Sequence, residues 1–171
     1  KIGRAVARRA RGFGMRVLAV DTHADEQQAA ELGVIITDAK TLLRESDVIS
    51  NHMNLTAENW HFFDDAGFAA MEKHPIFLNV SRGGSVDEAA LVRALDNGLI
   101  RAAGLDVLEA EKPDLEKCAL IGRENVILTP HAAFYSARSI EALQRMSCHN
   151  LTDCLSGNRA HAFKIINGVS I

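Results

Sequence analysis

Three side chains of complementary chemistry stand in three separate settings of this chain. The settings read Asn79-Val80-Ser81-Arg82-Gly83-Gly84-Ser85-Val86-Asp87-Glu88, then Gly104-Leu105-Asp106-Val107-Leu108-Glu109-Ala110-Glu111-Lys112-Pro113, then Leu128-Thr129-Pro130-His131. A cation, a carboxylate and an imidazole are the parts needed to hold a carboxylate substrate and to move a proton at its neighbouring carbon. Taken singly, Arg82 reads as a loop cation, His131 as a hydrogen-bonded structural residue, and Glu111 as a solvated acid in a charged stretch. What they share is position. Each follows an apolar run with strand character, and open α/β sheets bind ligands at the carboxyl ends of their strands.

The elements that must position them alternate along the chain. Apolar runs at residues 15–20, 34–36, 47–50, 76–80, 102–107 and 125–129 read as six short strands. Helical stretches fall between them, over residues 24–32, from a cap at Asp38 to about Glu45, and over residues 86–97. The last of these carries Ala90, Leu91, Ala94 and Leu95 on one face and stops at Gly98. A longer helix is expected from Ser136 to about Leu155, ending at Gly157. Strands alternating with helices predict βαβ units, hence an α/β fold with a doubly wound parallel sheet of Rossmann type.

Composition narrows the partners. The 171 residues are 47% hydrophobic and 24% charged, with a net charge of −3, an ordinary globular balance. That charge supplies no electrostatic reason to expect nucleic acid or an anionic membrane as partner. The apolar runs are too short to span a bilayer, and no basic, apolar, small-residue pattern opens the chain. Three cysteines, Cys118, Cys148 and Cys154, form no C-x-x-C pair, which suits free thiols in a reducing, cytoplasmic setting. Cys148, His149 and Cys154 lack metal-ligand spacing, so no metal is expected.

The opening is unusual. Gly3, followed by small and apolar residues, is similar to the last glycine of a G-x-G-x-x-G turn, and the next strand ends at Asp21, where a ribose-binding acid belongs. The two earlier glycines and the strand before them would precede Lys1. That strand is central in a doubly wound sheet, so the sequence reads as a fragment unable to catalyse alone.

At these residues the chain resembles the NAD-binding domain of the D-isomer-specific 2-hydroxyacid dehydrogenases, over essentially its whole length. The N-x-x-R-G-x-x-V-D motif is matched by residues 79–87, the glutamate after L-D-V by Glu111, and T-P-H by Thr129-Pro130-His131. The run Phe134-Tyr135 after the histidine is similar to the branch containing the C-terminal-binding-protein corepressors. The resemblance implies hydride transfer between NAD and a 2-keto or D-2-hydroxy acid. In it His131 is the acid/base, Glu111 orients its ring, and Arg82 binds the substrate carboxylate.

The same resemblance assigns the cofactor contacts. Lys1, Ile2 and Gly3 fall at the pyrophosphate turn, Asp21 at the adenosine ribose, and Met53 and Asn59 on the adenine side. Val80 and Ser81 flank the nicotinamide ribose, and Asp106 holds the carboxamide. Asn54 stands where the family commonly has proline, which predicts a less rigid loop. A homodimer is implied, with residues 1–156 as a truncated dinucleotide domain and residues 157–171 as a tail returning toward a substrate domain. The alternative function is an NAD-responsive, corepressor-like scaffold with little turnover. Elsewhere, Trp60, Phe62 and Phe63 are expected to pack into the core, and Asp64-Asp65 to cap a helix.

Overall fold

The structure, a computed structural model, describes residues 1–158. Two compact units form; the first runs from Lys1 to His131 and the second begins at Ala132. The first unit contains helix α1 (Ile2–Gly12), strand β1 (Val17–Ala19), α2 (Glu26–Glu31), β2 (Val34–Ile36), α3 (Ala39–Glu45) and β3 (Val48–Asn51). It continues through α4 (Asp65–Ala69), β4 (Ile76–Asn79), α5 (Glu88–Asp96), β5 (Ala102–Leu105) and β6 (Val126–Leu128). Two 3-10 turns, Ala57–Asn59 and Gly83–Ser85, lie in the loops after β3 and β4. The second unit holds α6 (Ala137–Leu155). Most of the expected tail lies outside the described residues.

Every pairing is parallel, as alternating strands and helices require. The expected single sheet is nevertheless two. β1 pairs with β2, and β3, β4, β5 and β6 pair in that order, with no ladder between β1 and β3.

Side-chain caps fix where the helices begin. Asp25, Asp38, Asp64 and Asp87 accept the backbone N–H of Gln28, Thr41, Gly67 and Ala90, and Ser136 accepts that of Ser139. Such a cap contributes about 1 kcal/mol. Asp38, Asp64 and Ser136 thus play the parts expected of them.

The core sits under the four-stranded sheet. Phe63, Phe68 and Phe77 interlock with ring centroids 4.8 Å (Phe63 to Phe77) and 5.5 Å (Phe68 to Phe77) apart. The apolar face of α5 closes over them with Ala90, Leu91, Ala94 and Leu95, each buried as its spacing predicts. Fully burying one such large side chain is worth about 1.5–3 kcal/mol. By contrast, α1 and the β1–β2 pair contain no fully buried residue. One packing expectation is corrected: Phe63 enters the core, but Trp60 and Phe62 remain exposed. Their chain turns outward at His61, whose φ is +52°.

Candidate active site

The register of the four-stranded sheet sets Asn51, Asn79, Leu105 and Leu128 in one row at the carboxyl ends. Arg82 follows Asn79 by three residues, Glu111 follows Leu105 by six, and His131 follows Leu128 by three. The three residues separated in sequence therefore meet on one rim, around a cavity of about 660 Å³ that all of them line.

Buried amides shape the Arg82 turn. Asn51 Nδ2 donates to Asn79 Oδ1 at 3.1 Å and to Ser85 Oγ at 2.7 Å. Asn79 Oδ1 also accepts the Ser81 N–H, while Asn79 Nδ2 and Ser85 Oγ both donate to the Arg82 carbonyl. All three side chains are buried. Leaving one such group unpaired costs about 1–3 kcal/mol, so the turn has one strongly preferred path. Asn51 and Ser85 were not singled out from sequence. The available signal was an amide ending the otherwise apolar strand Val48-Ile49-Ser50-Asn51.

Two glycines let neighbouring loops approach that turn. A Cβ on Gly83 would lie 1.7 Å from the Leu108 carbonyl oxygen, so the Arg82 turn presses directly on the loop carrying Glu111. A Cβ on Gly84 would lie 2.4 Å from Trp60 Cζ3. Trp60 is thus a lid on backbone, which explains its exposure.

The two acids of the loop after β5 have different surroundings. Glu109 Oε1 bonds His61 Nε2 at 3.0 Å, and Oε2 accepts the Glu88 N–H at 3.1 Å. The Glu109 N–H returns a bond to Glu88 Oε2 at 3.3 Å. Glu109 is fully engaged. Glu111 is exposed, lines the cavity, and among the described residues has no hydrogen bond or ion pair. The expected bond from Glu111 to the His131 ring is not formed in this structure; the carboxylate–imidazole contact present is Glu109 with His61. Both carboxylates sit on one short loop, and it is the second that leaves the loop's own hydrogen-bond network.

Arg82 lines the same cavity. Its Nη1 donates to the Ser81 carbonyl at 2.9 Å, and it joins no ion pair among the described residues. Arg93, by comparison, makes two bonds of 2.8 and 2.7 Å to Asp65. His131 is held with φ +52°, its N–H bonded to the Thr129 carbonyl at 3.0 Å. Thr129 N–H bonds the Leu105 carbonyl, and its hydroxyl bonds the buried Asp106 carboxylate. His131 is therefore anchored to the end of β5 through Thr129.

The expected cofactor contacts occupy the same edge or its neighbours. Lys1 stands at the N-cap of α1 and supplies no side-chain capping bond, and the first turn, with Ile2 and Gly3, contains no acid. Its free N–H groups and dipole suit a phosphate. Asp21 follows β1 and accepts the His23 N–H at 2.9 Å. His52 packs against Gly3, and burial pushes its imidazole below the usual histidine range. Ser81 donates its hydroxyl to the Met53 carbonyl, and the Met53 N–H reaches Asn51 Oδ1. Val80, just after β4, is exposed. Asn59 spends its side chain inside its own loop, accepting the Thr56 N–H at 2.8 Å and donating to the Asn54 carbonyl at 2.6 Å. The loop expected to loosen at Asn54 is instead closed by these bonds. Among the described residues no group of histidine, cysteine and acidic side chains can hold a metal, and no helix is long and apolar enough to cross a membrane.

Comparison with known proteins agrees with this geometry. The chain is 44% identical over 151 residues to a glyoxylate reductase of Korarchaeum cryptofilum, covering 88% of this chain and 45% of that protein. It is 37% identical over 169 residues to the D-lactate dehydrogenase of Escherichia coli K12, covering 92% of this chain and 51% of that one. The crystal structure of the Aquifex aeolicus D-lactate dehydrogenase complexed with NAD and lactic acid superposes with a TM-score of 0.89 at 32% identity, over 99% of this chain and 55% of that one. The chain thus spans about half the length of the proteins it matches. Residues 1–133 match the family described as the D-isomer specific 2-hydroxyacid dehydrogenase, NAD binding domain. With parallel strands, a phosphate-suited helix start and the residues of all three motifs on one rim, the chain belongs to that family of NAD-dependent enzymes.

Proposed function

We propose that this chain serves the reversible, NAD-dependent interconversion of a 2-keto acid and a D-2-hydroxy acid. The observation that carries the proposal is Arg82, a cation free of any ion pair among the described residues, sharing one cavity with Glu111 and His131. A guanidinium in that state is ready for a two-pronged contact with a carboxylate. His131 gives a proton to the keto oxygen during reduction and takes it back during oxidation. Glu111, whose oxygens are unspent, orients the imidazole when substrate is bound and stabilises its charged form. Glu109 is unsuited to that part, because both of its oxygens are committed.

NAD fits the first unit's own chemistry: an uncapped helix start for phosphate, the Asp21 carboxylate for ribose hydroxyls, and a buried acid, Asp106, beside the cavity. When bound, the cofactor supplies or accepts the hydride. Lys1, Ile2 and Gly3 hold its pyrophosphate, Asp21 its adenosine ribose, and Met53 and Asn59 the adenine side. Val80 and Ser81 flank the nicotinamide ribose, and Asp106 meets the carboxamide. The Asp21 charge would repel a 2′-phosphate, so NAD is preferred over NADP. A homodimer working in the reducing cytoplasm, where Cys118, Cys148 and Cys154 stay free thiols, completes the proposal.

The test is NADH oxidation by the full-length protein with glyoxylate and with pyruvate. Arg82→Gln is expected to raise the KM for the keto acid at least tenfold, the loss of about 1.5–3 kcal/mol for a charged hydrogen-bonded contact, with NADH affinity unchanged. Wild-type protein that binds NADH yet turns over neither acid would refute the enzyme and favour the scaffold.

A further inference from the structure

A second carboxylate–imidazole pair lies beside the cavity, and nothing in the reaction above uses it. His61 Nε2 meets Glu109 Oε1 at 3.0 Å, both side chains being about one-third exposed. His61 belongs to the loop after β3, whereas Glu109 belongs to the loop after β5. The backbone of His61 also reaches the third loop: its N–H bonds the Gly84 carbonyl at 2.9 Å, and the Phe63 N–H bonds the Ser85 carbonyl at 3.0 Å. One residue therefore ties the loop of Glu111 to the turn of Arg82.

We propose that His61, acting through Glu109, is a positioning residue that sets where Glu111 stands relative to Arg82 and His131. Several observations require more of His61 than filling space. Its backbone is held at φ +52°, a conformation unfavourable for a residue with a side chain, and the surrounding bonds maintain it. Its ring is stacked on Trp60, with centroids 4.7 Å apart and planes inclined by 22°, so the imidazole is aimed rather than free to turn. Trp60 in turn rests on Gly84. Glu109 passes the constraint onward, because its other oxygen and its N–H are locked reciprocally to Glu88 at the start of α5.

One residue, Ala110, separates Glu109 from Glu111, and among the described residues no hydrogen bond holds Glu111 itself. The placement of Glu111 is therefore inherited from Glu109. Releasing the His61 contact frees that end of the loop while leaving the Asn51, Asn79 and Ser85 network under Arg82 intact. The expected signature is a loss in kcat, since Glu111 serves the proton-transfer step, with binding largely preserved.

This inference rests on the dehydrogenase proposal, and the experiment separates the two. In the full-length protein, kcat and KM for glyoxylate and pyruvate, the NADH dissociation constant and the unfolding midpoint are measured for wild type, His61→Leu, His61→Gln, Glu111→Gln and the double variant His61→Leu/Glu111→Gln. His61→Leu is expected to lower kcat about tenfold, with the keto-acid KM and NADH affinity within about twofold of wild type. His61→Gln, which keeps a donor for Glu109, restores most of the rate. In the Glu111→Gln background the His61→Leu change has no further effect, because the two act in one chain. An active wild type with His61→Leu at full kcat, or losses that multiply in the double variant, would overturn the positioning role alone. A wild type inert toward both acids would overturn the dehydrogenase proposal and this role with it.

Discussion

Gly83→Ala is the sharpest perturbation of the site. Its Cβ would stand 1.7 Å from the Leu108 oxygen, 2.2 Å from the Leu108 carbonyl carbon and 2.8 Å from the Glu109 nitrogen. An ordinary carbon–oxygen contact is about 3.3 Å or more, so the two loops must part by roughly 1.5 Å. Both partners are backbone, and neither can step aside by a rotamer change. Overpacking of this kind costs about 1–3 kcal/mol. Parting the loops also stretches the bonds of Glu109 to His61 and Glu88, each worth about 1.5–3 kcal/mol as a hydrogen bond to a charged group. A total on the order of 3–5 kcal/mol lowers the thermal midpoint by roughly 6–20 °C at about 2–4 °C per kcal/mol. The assay is circular-dichroism melting of the full-length protein, with keto-acid turnover measured alongside. Gly12→Ala is the control, since a Cβ there meets nothing within 4 Å. It is expected to hold or slightly raise the midpoint. If Gly83→Ala melts within 2 °C of wild type, as Gly12→Ala does, the tight apposition of these loops is wrong.

Asn51→Ala leaves Asn79 Oδ1 and Ser85 Oγ short of a donor in a buried place. It is expected to cost about 1–3 kcal/mol in urea unfolding and to raise the keto-acid KM, because the Arg82 turn loosens. Burial holds the His52 imidazole below its ordinary range, so the unfolded chain binds its proton more readily than the folded one. Stability from this residue is complete above about pH 6.5, and it is lost as pH falls from there toward the folded-state value. The urea midpoint is expected to drop between pH 7.5 and pH 5.5, and to drop less in His52→Asn. Equal slopes for the two proteins would remove His52 from the account.

Legibility from sequence followed the range of the forces involved. The helix caps at Asp38, Asp64 and Ser136 and the buried face of α5 are local events, decided within a few residues, and periodicity and cap chemistry read them directly. Strand ends were less sharp: residues 15–20 read as strand, but only Val17–Ala19 pair, because pairing depends on what lies alongside. Trp60 illustrates the same limit. An aromatic cluster reads as core material, yet the turn at His61 puts Trp60 over Gly84 and only Phe63 into the interior.

By itself the sequence determined the types and order of the elements, the parallel pairing and the family, and it offered the three candidate site residues, since each is carried by local pattern or motif. Tertiary structure alone decided which groups share a partner. Asn51 and Ser85 are ordinary polar residues until the register of β3 and β4 brings them against Asn79. Glu109 and Glu111 are two similar acids in one short segment until His61 and Glu88 occupy the first and leave the second unbound. Hydrogen bonds are short-ranged and directional, so their pairing follows from how distant strands align, which spacing along the chain does not encode.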